Sequence, residues 1–343
     1  MMNITPDAPL RPLNTFGIEA KARVLITYDS EAALQEALST IRRDYPTLPV
    51  LHIGGGSNLL FLSDYKGIVL KSDLKGIRVV SETADEVLVE VGSGEVCDAF
   101  IAEAISRGWY GMENLSLIPG QVGAAAVQNI GAYGVEACDV IHEVNGISLA
   151  DGTARTWQQS ECGYGYRESI FKGELWGQYA ITRVTFRLSK RFAPKLQYGG
   201  LVKAVEQAGL TQESLTARQL RDIIIGIRQA KLPDPAVQGN AGSFFKNPVV
   251  AADKAEHLLQ QYPGMPHYPA PDGQVKLAAG WLIEQAGWKG KSLGHAAVHD
   301  KQALVLVNKG GATGQEIADL CEAVRADVKA QFGIELSPEV NFI

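Results

Sequence analysis

Three glycine-bearing loops in the first half of the 343-residue chain have the residue types that hold a large phosphorylated ligand. The stretch Ser116 to Gly134, SLIPGQVGAAAVQNIGAYG, carries no charged residue, four glycines, four alanines and one aromatic, Tyr133. Glycine permits positive φ, and small side chains let backbone come within contact distance of something flat and large. The run is too short, too glycine-rich and too polar at Gln128 and Asn129 to span a membrane. A tightly packed core turn is its plain alternative. Upstream, Gly54-Gly55-Gly56-Ser57-Asn58 follows a short apolar run; its bare N–H groups can converge on a phosphate, with Ser57 and Asn58 adding polar contacts. No helix-opening GxGxxG and no GxxxxGK[ST] occurs there, so it is neither a Rossmann fingerprint nor a P-loop. Taken alone, that loop reads equally as a flexible turn. Gly92-Ser93-Gly94 is the third loop. The second half holds one dense motif, GNAGSFFKNP at 239–248, with Ser243 in a glycine-rich turn. Such a serine either bonds its own turn or offers its hydroxyl to a ligand.

These loops need elements to hold them. A Pro-rich start leads to a first strand at Arg23 to Thr27, and Ser30 N-caps a helix with Leu34, Leu38, Ile41 and Tyr45 on one face. Short strands are expected at 49–53, 67–71 and 77–80, and at 86–92, where Val87, Val89 and Val91 alternate with polar neighbours. An amphipathic helix follows from about Glu95 to Arg107. Further strands fall at 140–149, 152–157 and 179–188, so the first half is β-rich. Thr216 with Gln219 forms a capping box for a helix that ends before Pro233-Asp234-Pro235, a domain boundary. Beyond it come a loop with Tyr262, Tyr268 and four prolines, a helix at 275–286 and a strand at 303–307. A second capping box, Thr313 with Glu316, opens a further helix. The end, 338–343, reads as a final strand.

Composition bounds the rest. The length suggests two or three domains. Hydrophobic content of 46% and charged content of 20% describe an ordinary soluble globular chain. A net charge of −6 argues against general affinity for nucleic acid or anionic membranes. Four scattered cysteines and six histidines without metal-ligand spacing predict no metal site and no disulfide framework. The N-terminus lacks a signal-peptide pattern, so a cytoplasmic location is expected.

In order and spacing, Asn14-Thr15-Phe16, GGGSNLL at 54–60, IPGQVGAAAVQNIGAYG at 118–134, YRES at 166–169, KLPDP at 231–235, GNAGSFFKNP and PEVNFI at 338–343 closely resemble the UDP-N-acetylenolpyruvoylglucosamine reductases. Tyr268 in its proline-rich loop, followed by KLAAGWLIE, is similar to the longer class of that family, whose loop carries a tyrosine over the substrate. Asn341 stands where the family pattern has Arg. The resemblance implies an α+β protein: an FAD-binding domain of the vanillyl-alcohol-oxidase (PCMH) type plus a smaller α/β substrate-binding domain. The expected division is 1–70 and 71–230 for two FAD-binding subdomains, 231–332 for the substrate-binding domain, and 333–343 for a C-terminal strand returning to the active site.

The resemblance also implies roles. FAD, held without a covalent bond, would be contacted by Gly54, Gly55, Gly56, Ser57 and Asn58 at its pyrophosphate. Ser116, Ile118, Pro119, Gly120, Gly123, Ala124, Asn129, Gly131, Tyr133 and Gly134 would line the flavin, with Arg228 neutralising phosphate charge. NADPH would reduce the flavin at N5, and the hydride would pass to the enolpyruvyl methylene carbon of UDP-N-acetylglucosamine enolpyruvate. Ser243 would protonate the adjacent carbon, Arg167 would pair with the substrate carboxylate, and Glu339 would orient or help protonate the intermediate. Tyr198, Lys231, Asn247, Tyr268 and Gln302 would bind substrate. His295 and His299 have no task in this chemistry. The product would be UDP-N-acetylmuramate, a peptidoglycan precursor, made by a monomer with no nucleic-acid or membrane partner. The competing readings are a flavin oxidase tethering its cofactor through His or Cys, for which only His52 lies nearby, and a nucleotide-sugar or flavin binding module. The latter gives GNAGSFFKNP and PEV nothing to do.

Overall fold

The computed structural model describes residues 1–198 and 200–343. These form two compact units, the first of Met1–Ala8, Ala22–Gly55 and Lys66–Ala230, the second of Pro9–Lys21, Gly56–Tyr65 and Lys231–Ile343. Two segments from the first seventy residues thus fold with the second unit. The reason is apolar: Phe16, Ile18 and Leu60 are buried in one core with Phe244, Phe245, Leu282, Ile317, Leu320 and Val340.

The first unit has two large sheets and a two-stranded pair, 131–132 with 135–136. One large sheet orders its strands Met2–Pro9, Lys21–Tyr28, Tyr65–Ser72 and Val50–Ile53, the last two running parallel. The strand at Met2–Pro9 was hidden by its polar, proline-bearing composition. Helix α1 (Glu31–Asp44), capped by the Ser30 side chain, shares a core with this sheet through Leu34, Leu38, Ile41, Val24 and Ile26. The second sheet is antiparallel, in the order 154–158, 141–148, 179–189, 86–92 and 77–82. Its inward Val87, Val89, Val91, Trp157 and Phe186 pack with α2 (Cys97–Ser106) and α3 (Val122–Gln128). Helices α4 (Leu201–Gln207) and α5 (Ala217–Lys231) close the unit around Leu201, Val205, Leu220 and Ile224.

In the second unit, strands Asn240–Ser243, Val305–Asn308, Ala296–Val298 and Ser292–Leu293 form one sheet, and Val249–Val250, Val275–Leu277 and His267–Pro269 another. Helices α6 (Ala252–Gln261), α7 (Ala279–Gln285) and α8 (Gly314–Phe332) share the apolar core. The helix expected over 275–286 is shorter than its pattern suggested. Residues 275–277 instead pair as the middle strand of the small sheet. Asn247 Oδ1 accepts the Ala279 N–H at 3.0 Å and starts α7 there, a cap supplied from 32 residues away.

The α8 capping box is complete: Thr313 Oγ1 accepts the Glu316 N–H, and the Glu316 carboxylate accepts the Thr313 N–H. The Thr313 N–H, then the side chain and backbone of His295, hold the Glu316 carboxyl down from 4.5 to about 2. Because the folded value is the lower one, this stabilisation is present above pH 4.5 and lost as pH falls toward 2. Glu316→Gln should therefore lower the thermal midpoint at pH 6 and flatten its acid limb between those values. Thr313→Ala should cost about 1 kcal/mol with the acid limb retained. Thermal melts against pH check both.

Candidate active site

The glycine loops of the first unit meet face to face. A Cβ built on Gly54 would lie 3.1 Å from Gln121 Oε1 and 3.3 Å from the Ala124 Cβ, and one on Gly123 would lie 2.7 Å from the Ser93 Cβ. Backbone bonds stitch two of the loops together, 92–97 and 116–134: Cys97 N–H to Gly120 O, Val122 N–H to Glu95 O and Gly123 N–H to Ser93 O, at 2.9–3.0 Å. Small residues are demanded here by proximity, as their types suggested.

Four non-glycine residues with positive φ stand in this cradle: Leu117 (60°), Asn129 (45°), Tyr133 (50°) and Arg167 (58°). Such conformations cost about 1–3 kcal/mol each and persist where surrounding structure imposes them, often at functional sites. Asn129 is fully buried, and its amide serves the fold. Nδ2 donates to the Glu136 carboxylate and to Gly165 O, both at 2.9 Å, while Oδ1 accepts the Cys138 N–H at 3.0 Å. It thereby ties the end of α3 to the tight turn at Gly165–Glu168 that displays Arg167. Arg167 is half-buried. Its Nη2 donates to Gly131 O at 2.7 Å, and a Cβ on Gly131 would lie 2.9 Å from Nη1. Gly131 is thus a glycine because Arg167 lies across it. Ser116 is buried, with Oγ bonded to Glu113 O at 2.6 Å. Tyr198 packs its Cβ about the space beside Gly134 and is 39% exposed, leaving the ring accessible.

Four side-chain polar atoms described in this unit are buried without a hydrogen-bond partner: Trp157 Nε1 and the Tyr164 hydroxyl in the sheet core, and Gln121 Oε1 and Arg228 Nε beside the glycine loops. Burial, together with the Arg167 charge, holds Arg228 below its ordinary range, while Tyr133 and Asp98 oppose the shift. A buried guanidinium with one unmet N–H and an unmet amide acceptor beside bare glycine backbone fit a polyanionic, hydrogen-bonding cofactor, and FAD meets that description. His52 is otherwise engaged. Its Nε2 lies 2.8 Å from the Tyr28 hydroxyl in a stacked pair, and burial pulls its pKa down to about 4.

In the second unit, the strand 240–243 pairs Asn240 with Val307 but Ser243 with Val305, so one extra residue is accommodated at a bulge where Gly242 has φ 71°. Bulges re-aim side chains, and here Ser243 is exposed while Phe244 and Phe245 behind it are buried. Asn240, missed in the sequence reading, stabilises the bulge: Oδ1 accepts the Gly242 N–H, and Nδ2 donates to Pro233 O and Gln238 O. Glu339 lies alongside, its N–H bonded to Phe244 O at 2.7 Å. Asn58 Nδ2 donates to Glu339 O at 3.0 Å, and the Asn341 backbone and side-chain amides both donate to Asn58 O. Asn341 therefore serves as a backbone clasp, a role that needs no charge. The structure thus brings Ser243, Glu339 and Asn58 onto one hydrogen-bonded frame. Lys231 is the exposed last residue of α5. Gln302 Oε1 accepts the Leu304 N–H at 3.3 Å within its own turn. Tyr268 is 39% exposed on the edge strand of the small sheet, opposite Lys276.

The first unit, with its two large sheets and glycine cradle, defines an oxidoreductase with an FAD-binding domain of the vanillyl-alcohol-oxidase type joined to a second α/β domain. Residues 22–157 match the FAD binding domain family, and residues 234–343 match the UDP-N-acetylenolpyruvoylglucosamine reductase C-terminal domain. The chain is 51% identical over 330 residues to the UDP-N-acetylenolpyruvoylglucosamine reductase of Bacteroides fragilis (strain YCH46), covering 96% of this chain and 97% of that one. It is 50% identical over 338 residues to that of Burkholderia cenocepacia (strain HI2424), covering 98% and 96%. The crystal structure of the Thermus caldophilus enzyme of that name shares the fold, with TM-score 0.68 at 23% identity over 100% of this chain and 98% of that one. The chain belongs to the UDP-N-acetylenolpyruvoylglucosamine reductase family. Among the described residues no helix is long and apolar enough to cross a membrane.

Proposed function

We propose that the protein reduces UDP-N-acetylglucosamine enolpyruvate to UDP-N-acetylmuramate at the expense of NADPH, a step in peptidoglycan precursor synthesis. FAD, when bound, supplies a two-electron carrier able to take hydride from NADPH and give it to the enolpyruvyl methylene carbon. Gly54, Gly55, Gln121, Gly123 and Arg228 are the residues that would hold it, joined by the loop residues Gly56, Ser57, Asn58, Ser116, Ile118, Pro119, Gly120, Ala124, Asn129, Gly131, Tyr133 and Gly134.

The protein's own groups handle the charge and the proton. Hydride addition leaves negative charge on the carbon bearing the carboxylate, and fixed donors lower the barrier by meeting that charge as it develops. Arg167, held by Gly131 O, offers a guanidinium suited to bidentate pairing with a carboxylate. The Ser243 hydroxyl gives its proton to that carbon, and Glu339 orients the intermediate or assists the transfer. Serine is a weak acid, so geometry rather than resting pKa makes the transfer feasible. Tyr198, Lys231, Asn247, Tyr268 and Gln302 bind the nucleotide sugar. For Asn247 this leaves Nδ2, since Oδ1 caps α7.

The observation that carries this reading is the bulge that exposes Ser243 on the strand bonded to Glu339. The purified protein should be yellow, release its flavin on acid precipitation, and oxidise NADPH in proportion to added UDP-N-acetylglucosamine enolpyruvate. Flavin retained in the acid pellet, or fast NADPH oxidation by oxygen alone, would overturn it.

A further inference from the structure

Asp98 has no place in the chemistry above, yet it accepts three hydrogen bonds beside the cradle. It sits in the first turn of α2, half-buried, and forms a bidentate pair with Arg221 of α5 at 2.5 and 2.8 Å. Its Oδ1 also accepts the Leu117 N–H at 2.6 Å. Burial opposes its charge, but the Arg221 hydrogen bonds and the Leu117 N–H outweigh this and hold the carboxyl below the usual range. Leu117 is the residue at φ 60° between Ser116 and Ile118, in a conformation that a leucine adopts only when held. Arg221 lies seven residues before Arg228, two turns along the same face of α5. One carboxylate therefore touches the strained bend of the flavin-lining loop and the helix carrying Arg228, whose Nε is buried without a hydrogen-bond partner.

We propose that Asp98 and Arg221 are positioning residues for FAD, a charged clasp that fixes the Ser116–Gly120 loop and the register of Arg228 for cofactor binding. The proposal rests on the reading of that loop as a cofactor contact. Neither residue touches the reacting atoms. A pair that merely stabilised the unit would lower the melting temperature of the cofactor-free protein and leave FAD affinity unchanged. A clasp shows in FAD affinity itself.

The test measures FAD release from the holoenzyme by the growth of free-flavin fluorescence on dilution. The proteins compared are the parent, Asp98→Asn, Arg221→Gln, the double variant and Gly120→Ala, and thermal melts of each cofactor-free protein run in parallel. Two charge-assisted hydrogen bonds predict FAD affinity weaker by roughly 10-fold or more in each single variant. The double variant should be no worse than the weaker single, because both remove one interaction. Gly120 has φ 129°, so its alanine variant distorts the loop whether or not the clasp exists. Weakened FAD in Gly120→Ala with parental affinity in Asp98→Asn and Arg221→Gln sinks the clasp alone. Parental affinity in Gly120→Ala sinks the loop assignment and the clasp with it. Should Asp98→Asn fail to fold, Arg221→Gln, on a different helix, decides alone.

Discussion

Ser243→Ala leaves flavin reduction by NADPH near its parental rate and slows transfer to UDP-N-acetylglucosamine enolpyruvate by roughly 10²-fold or more, the scale of a lost general acid. The separation of the two half-reactions is the informative part. Reduction of the flavin needs no proton delivered to the substrate carbon, whereas product formation does. Ser243 is exposed at a bulge whose shape is set by Asn240 and Gly242, so removing its hydroxyl leaves the strand intact. Flavin content and melting temperature should therefore match the parent. Stopped-flow absorbance of the two half-reactions checks this, and equal loss in both would remove Ser243 from the proton-donor role.

Gly56→Ala unfolds or strips the protein for a different reason. Gly56 is buried with φ 67°, and a Cβ there would run into the carbonyl oxygen of Leu13. Neither side can yield easily. Asn14, next to Leu13, is 5% exposed and bonds Leu10 O, Ile18 O and the Ile18 N–H, while Gly56 O holds the Thr15 N–H. Overpacking combined with a positive φ predicts a loss of about 2–4 kcal/mol, accompanied by loss of bound flavin. Gly17→Ala is the control. Its φ is 66° but nothing lies within 4 Å of the added carbon, so the backbone cost alone remains, about 1 kcal/mol. Denaturation midpoints and flavin-to-protein ratios would show the difference. Equal losses at the two positions would contradict the account of the 54–58 loop as a close-packed cradle.

The parts of the molecule that were legible in its sequence are those set by local chemistry. Both capping boxes, the Ser30 cap, the alternating strand at 86–92 and the glycine loops all follow from neighbours within a few residues. The family resemblance rested on long motifs and identified the fold that the chain adopts. The parts that escaped depend on distant partners. Val275–Leu277 reads as helix until the strands at Val249–Val250 and His267–Pro269 flank it. The segments 9–21 and 56–65 join the second unit because Phe16 and Leu60 find their apolar partners more than 180 residues away. Asn129 reads as a cofactor contact in its motif, and its side-chain bonds to Glu136, Gly165 and Cys138, a role within the fold, were not legible there. Asp98 gave no signal, since it matters only through Leu117 and Arg221, which folding brings to it, whereas Asn240 bonds Gly242, Gln238 and Pro233 within seven residues and its local turn chemistry was missed. Asn341 looked like a lost arginine and is a clasp on Asn58.

An anaerobic titration of the holoenzyme followed by its visible spectrum tests the central claim most directly. NADPH should bleach the flavin and leave it reduced. Subsequent UDP-N-acetylglucosamine enolpyruvate should restore the oxidised spectrum with formation of UDP-N-acetylmuramate, one product for each flavin reoxidised. A flavin that bleaches but is reoxidised only by oxygen, with no product from the nucleotide sugar, would contradict the account.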